Sequence, residues 1–235
     1  MAGDVIAVGA ERARTGPWRG DQLVALLTPV PDAPIPSAAF VRRCLSVLAD
    51  RGYRRVVTGA LAPAEQAGFL AAGFAIAEEL HLLAHDLRAL PPRPKSSLRR
   101  ARSDDHAAVL QVDDVSFTPF WRLDDAGLTD TLAATPHVRF RVAHDPLDHV
   151  VGYAITGRAG RRGYLQRLAV APNARDHGLG AALVVDGLWW LRRWRVNRAL
   201  VNTQHGNQAA LALYTRLGFR PEPVGLSVLE AACGD

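Results

Sequence analysis

The chain has 235 residues, 49% of them hydrophobic and 22% charged, the balance of a globular protein with one large or two small domains. Its longest apolar stretch, residues 181–191, is broken by Asp186 and Gly187 and falls short of the roughly 20 residues that a membrane span requires. Two distant cysteines, Cys44 and Cys233, exclude a disulfide framework, and the net charge of +5 says little about partners because arginine replaces lysine throughout, Lys95 being the single exception. Asp4, Glu11 and Arg12 interrupt the stretch where a signal peptide needs its apolar run, so a cytoplasmic protein with free thiols and no membrane partner is expected.

In chain order, residues 5–31 read as a hairpin, VIAVGAERAR and LVALLTPVP flanking the Gly/Pro-rich turn TGPWRGDQ. An apolar helix is expected over 37–48, a strand over 55–61, and a second helix ending at Phe69-Leu-Ala-Ala-Gly73-Phe74 before a strand over 78–87. His81 and His85 lie four apart in that strand without a third ligand nearby, so no metal site is expected. The segment PPRPKSS at 91–97, with three prolines in four residues, reads as an extended linker. The basic residues around it, Arg93, Lys95, Arg99, Arg100 and Arg102, come with no nucleic-acid motif and read as a solvated linker and strand start, so nucleic acid is not an expected partner.

Beyond the linker, 98–102 reads as a strand, 104–115 as a helix capped by Ser103, 123–134 as a short helix, and the alternation of Val138, Phe140 and Val142 as a strand. Residues 149–172 then repeat the early hairpin, followed by a helix over 178–194, a strand over 199–204, a helix ending at Tyr214-Thr-Arg-Leu-Gly218-Phe219 and a strand over 224–231. Each element between 5 and 87 thus has a counterpart between 149 and 231, whereas the roughly 50 residues after the linker have none. The expected organisation is a truncated copy (1–92), a linker (93–97) and a complete domain (98–235) in an α/β fold with a mixed sheet. The helix over 178–194 is apolar around most of its circumference, more than one sheet face buries, so the truncated copy is expected to pack on the complete domain and shape its cleft. Trp189, Trp190 and Trp194 read as core or interface residues.

Two late segments carry chemistry. Leu168-Ala-Val170-Ala-Pro172-Asn-Ala-Arg175-Asp-His-Gly178-Leu-Gly180 is a strand, a loop with two glycines and the start of a helix. Unpaired N–H groups at such a helix start attract a diphosphate, the glycines let it approach the backbone, and Arg175 adds charge. In the second segment Asn207 opens a helix and Tyr214 follows seven residues later, on nearly the same face.

Together the two segments resemble the GNAT superfamily of acyl-CoA-dependent N-acyltransferases. The first matches its Arg/Gln-x-x-Gly-x-Gly/Ala loop as Arg175-Asp-His-Gly178-Leu-Gly180, and the second its Asn-x-x-Ala-x-x-Leu-Tyr-x-x-x-Gly-Phe helix from Asn207 to Phe219. The resemblance implies acetyl-CoA as acyl donor, no metal, and a small-molecule amine or a protein N-terminus as acceptor, the protein α-amine being slightly favoured. Arg175, Asp176, His177, Gly178, Leu179, Gly180 and Ala181 would surround the pyrophosphate. Leu168, Ala169 and Val170 would pair with the pantetheine arm and supply an oxyanion N–H, Asn207 would hydrogen-bond the pantetheine, and Tyr214 would protonate the departing thiolate.

The positions at which some family members carry a glutamate base are Asn202 and Tyr164 here. A water-relayed proton transfer is therefore the default, with His205, Asp113 and Asp114 as side-chain candidates. The missing carboxylates leave a non-catalytic acyl-CoA-binding module as the alternative reading. The early counterpart of the phosphate loop reads Pro31-Asp-Ala-Pro34-Ile-Pro36-Ser37, in which two prolines delete N–H donors and Asp32 adds repulsion. That copy also lacks the Asn/Tyr pair and is expected to be degenerate. Phe117 to Trp121 is expected to border the acceptor cleft.

Overall fold

The computed structural model describes residues 4–31, 33–93 and 98–233. Its elements are β1 (Asp4–Val8), β2 (Glu11–Trp18), β3 (Asp21–Pro29), α1 (Ala38–Asp50), β4 (Arg55–Thr58), α2 (Pro63–Leu70) and β5 (Ala75–His85), then β6 (Leu98–Arg100), α3 (His106–Ser116), α4 (Asp125–Ala133) and β7 (His137–His144). The chain continues through β8 (Val150–Ala159), β9 (Arg162–Val170), α5 (Leu179–Arg193), β10 (Arg198–Gln204), α6 (Gln208–Arg216), β11 (Arg220–Pro221) and β12 (Leu226–Ala232). It divides into two compact units that are discontinuous in sequence, one of residues 1–82, 202–206 and 222–235, the other of 83–201 and 207–221.

In the first unit the strand order is β1-β2-β3-β4-β12-β5, parallel between β3 and β4 and antiparallel elsewhere. The expected two-stranded hairpin is in fact three strands. The chain turns at Gly9-Ala10 and again at Arg19-Gly20, and TGPW continues β2 instead of forming a loop. The last strand also departs from expectation: the repeat places it in the late copy, but β12 pairs with β4 and β5 of this unit. Alternating apolar residues define a strand without naming its neighbour, and Leu229 of β12 is fully buried in this unit's core.

α1 packs Phe40, Val41, Cys44 and Leu48 into the same core, each apolar side chain contributing on the order of 1.5–3 kcal/mol. α2 lies close to the segment before α1, and a Cβ built on Gly68 would clash with the carbonyl oxygen of Pro36. Gly68→Ala is therefore expected to lower stability by about 2 kcal/mol. The helix-propensity gain of about 1 kcal/mol is outweighed by overpacking against backbone that no rotamer can clear. Chemical denaturation checks this, and a variant as stable as the parent would show that residues 36–37 yield freely.

In the second unit the strand order is β10-β9-β8-β7-β6, with α5 and α6 over one face and α3 and α4 over the other. α3 starts two residues later than expected. Ser103 opens a short 3-10 turn, and Asp105 precedes α3 without a side-chain cap bond to it; its carboxylate instead accepts from Arg102 N–H at 2.6 Å and from both arms of Arg99 at 2.6 Å. Arg99 is thus committed to an ion pair that ties β6 to α3, while Lys95 lies outside the described residues. At α4 the cap is Asp124, which accepts from Gly127 N–H at 2.7 Å.

The repeat extends to atomic detail. Gly73 and Gly218 adopt φ of +96° and +94°, a left-handed conformation that stops α2 and α6 in the same way. Phe74 N–H bonds Phe69 O at 3.1 Å and Phe219 N–H bonds Tyr214 O at 3.0 Å. The aromatic pairs match too, Phe69 with Phe74 at 5.2 Å between centroids and Tyr214 with Phe219 at 5.7 Å.

Candidate active site

β9 is the strand on which the site is built. β10 runs parallel to it only over Arg198–Leu200 against Arg162–Tyr164. Beyond Tyr164 that edge of β9 has no strand partner among the described residues, while Leu168, Ala169 and Val170 stay paired to Ala154, Tyr153 and Gly152 of β8 on the other side. The β8 register slips between Ile155 and Thr156, leaving Gln166 as an extra residue. This bulge sends two consecutive side chains to the α3–α4 face. The Gln166 amide donates to Thr131 O of α4 at 3.2 Å and Arg167 reaches α3, while Leu165 and Leu168 on either side pack toward α5.

At the end of β9 a 3-10 turn (Pro172–Ala174) leads into the loop before α5. Arg175 folds back so that its Nε donates to Val170 O at 3.1 Å, and the His177 ring nitrogen Nδ1 lies 2.6 Å from Arg175 O. Asp176 and Gly178 both have positive φ, +64° and +77°, and Gly178 is the residue from which α5 starts. A Cβ on Gly178 would meet nothing within 4 Å, so its face of the backbone is open. The first intrahelical bond is Ala182 N–H to Gly178 O at 2.9 Å, which leaves the N–H groups of Leu179, Gly180 and Ala181 as first-turn donors. An oxyanion or diphosphate fits such a start.

Asn207 caps α6, its side-chain oxygen accepting from Ala210 N–H at 3.1 Å. Tyr214, two turns on, is only 5% exposed and belongs to the core formed by α5, α6 and the sheet. Burial pushes its phenol well above the usual value, and the positive charge of Arg167 partly opposes that rise.

Arg167 is also the centre of a network that the sequence did not announce. Its Nε and Nη2 donate to the two oxygens of Asp113 at 2.8 and 2.9 Å, Nη2 also donates to Trp121 O, and the guanidinium lies 3.6 Å from the Phe117 ring centroid. Asp113 further accepts from Leu123 N–H at 2.6 Å and from the Tyr153 hydroxyl. Burial raises the Tyr153 phenol far above its usual range, which keeps it a donor.

Asp113, expected on an exposed helix face as a possible base, is fully buried with both oxygens engaged, because α3 turns that face to the sheet. Asp114 is exposed and paired with Arg122 at 3.0 Å. His205 belongs to the first unit, where it stacks on His81 at 4.1 Å between centroids and lies 3.9 Å from Glu79. His85 is a neutral link in the second unit: Leu87 N–H donates to its Nδ1 at 2.8 Å, Nε2 lies 3.2 Å from Leu217 O, and burial lowers its pKa. Among the described residues no group of three or more His, Cys, Asp or Glu is placed to hold a metal ion, and no helix is long and apolar enough to cross a membrane.

The early counterpart of the phosphate loop is filled from within. Glu11 accepts hydrogen bonds from Ser37 N–H at 2.5 Å and from Ser37 Oγ at 3.1 Å, at the start of α1. Asp32 lies outside the described residues.

The sequence profile of the Acetyltransferase (GNAT) family matches residues 103–219, which include the β9 splay, the Gly178 loop and the α6 tyrosine. The chain belongs to the GNAT family. The GNAT fold occurs here as one complete copy plus a truncated repeat. A tandem GNAT protein from the clavulanic acid biosynthesis pathway superposes with a TM-score of 0.71 at 15% identity, covering 98% of this chain and 82% of that one. In sequence, a mycothiol acetyltransferase of Salinispora arenicola is 42% identical over 86 residues, 34% of this chain and 28% of that protein. A mycothiol acetyltransferase of Actinosynnema mirum is 29% identical over 190 residues, 74% of this chain and 63% of that protein. The GNAT chain thus spans from about a quarter to under two thirds of the length of these curated relatives.

Proposed function

We propose that the chain transfers an acetyl group from acetyl-CoA to the primary amine of a small molecule by direct attack, with Tyr214 as general acid. The observation that carries this reading is the buried Tyr214 in the same unit as an open helix start at Gly178 and an unpaired β9 edge that precedes both in sequence. Residues 176–181 would hold the pyrophosphate and Leu168 to Val170 the pantetheine. The oxygen of Asn207 is committed to its helix, so the amide nitrogen is the group that would meet the pantetheine.

The neutral amine attacks the thioester carbon, a β9 N–H stabilises the oxyanion, and collapse breaks the C–S bond. Tyr214 gives its proton to the sulfur, and the proton from the attacking nitrogen leaves through water. The buried, fully paired Asp113 plays no part in that transfer.

A small-molecule amine is preferred over a protein α-amine because the relatives that match this sequence are named for a small-molecule acceptor. The first unit holds no donor: Glu11 supplies the anion at the start of α1 that a phosphate would supply at the start of α5.

The test is thiol release from acetyl-CoA over a panel of small amines, amino sugars and peptides, alongside thermal shift with acetyl-CoA alone. Release with a small amine supports the reading. A donor-induced shift with no release on any amine would make the protein a non-catalytic acyl-CoA-binding module, and no shift would remove the donor site.

A further inference from the structure

Seven arginines gather at the end of the second unit opposite the Gly178 loop. α5 has 15 residues, which puts its C-terminus about 22 Å from its start. There Arg192 and Arg193 close the helix and Arg195 follows, its N–H bonded to Arg192 O at 3.0 Å. The β8–β9 turn lies against this end: Asn197 N–H bonds Arg161 O at 3.1 Å, Arg198 is the cross-strand partner of Arg162, and Arg158 stacks 4.6 Å from the Trp194 ring. Arg161, Arg162, Arg192, Arg193, Arg195 and Arg198 are all exposed, and Trp194 is 53% exposed. Neither contributing segment, 157–164 or 187–201, contains an Asp or Glu.

Two arginines in a last helical turn complement the helix dipole, but that leaves Arg158, Arg161, Arg162 and Arg195 without such a reason. Like charges held together repel one another, and the arrangement is relieved by a polyanion. We infer that this surface docks the phosphodiester backbone of single-stranded nucleic acid, with the Trp194 indole as a stacking platform. Guanidinium forks suit phosphate oxygens, and an aromatic among cations is the arrangement that binds single strands without sequence preference. A lipid surface fits less well, since membrane-lying helices insert a continuous apolar face and here one indole stands among charges. The surface exists only once α5 and the β8–β9 turn come together.

Fluorescence anisotropy of a labelled oligouridylate about 20 nucleotides long, titrated with the full chain over a salt series, tests the inference. The parent is expected to bind with steep salt dependence. The combined variant Arg192→Gln, Arg193→Gln, Arg195→Gln should flatten the slope of log K against log salt by about 2, at roughly 0.7 per lost charge. Trp194→Ala should weaken binding about tenfold with the slope unchanged. All four positions are exposed and lie away from the proposed donor loop, so thermal melting and the acetyl-CoA shift are expected to be retained, which separates this outcome from failure of the acetyl-transfer reading. Absence of salt-sensitive binding, or equal binding by the triple variant, overturns the inference. Patch-dependent binding to phosphatidylglycerol vesicles without RNA binding overturns it in favour of a lipid surface.

Discussion

Tyr214→Phe is expected to lower kcat for acetyl transfer roughly 10²- to 10⁴-fold while leaving the KM for acetyl-CoA unchanged, the range for loss of a positioned general acid. The ring stays, so its contact with Phe219 and its place in the core are kept, and only the proton donor is removed. Burial raises the phenol above its ordinary value, so Tyr214 remains protonated through neutral pH and beyond about pH 10. The kcat profile should accordingly show no alkaline limb from this residue below about pH 10, whereas an acidic limb should follow protonation of the acceptor amine. Steady-state kinetics of parent and variant decide the matter. Unchanged turnover in the variant removes Tyr214 as the acid and returns it to packing, the role its counterpart Phe69 fills in the first unit.

Asp113→Ala is expected to destabilise the second unit by about 3–5 kcal/mol, because it leaves the Arg167 guanidinium, only 10% exposed, with no counter-charge. In a chain of this size that corresponds to a fall in melting temperature of about 10 °C. The double variant Asp113→Leu, Arg167→Met should recover most of the loss, since the penalty belongs to the orphaned charge more than to the pair. Circular dichroism melts of the two variants measure both effects. A single variant that melts with the parent would show that Trp121 O and Phe117 suffice to hold Arg167 in place.

The parts of this protein legible from sequence were those governed by local chemistry. The Gly-Phe helix ends at Gly73 and Gly218, the loop of Arg175 to Gly180 and the α6 pair of Asn207 and Tyr214 follow from short-range spacing, and each element lies close to its expected place. Partnership between distant segments was not legible. β12 looked like the end of the late copy, yet its register is with β4 and β5. Asp113 looked like a solvated helix carboxylate because the sequence near it gives no sign of Arg167, 54 residues away. A charged residue inside the strand run LQRLAV was the one available signal, and the bulge at Gln166 that turns it toward α3 is a property of strand pairing. The arginine surface escaped for the same reason, its members coming from two segments about 30 residues apart.

The Glu11–Ser37 contact bears on how each unit answers to metabolite supply. A donor bound at Gly178 would stabilise the second unit by mass action, adding about 2.7 kcal/mol at a hundred times its Kd and nothing in its absence. The first unit carries its anion on its own chain, so the start of α1 is held to the same degree in starved and replete conditions. One copy would track the acyl-donor pool, and the other is insulated from it.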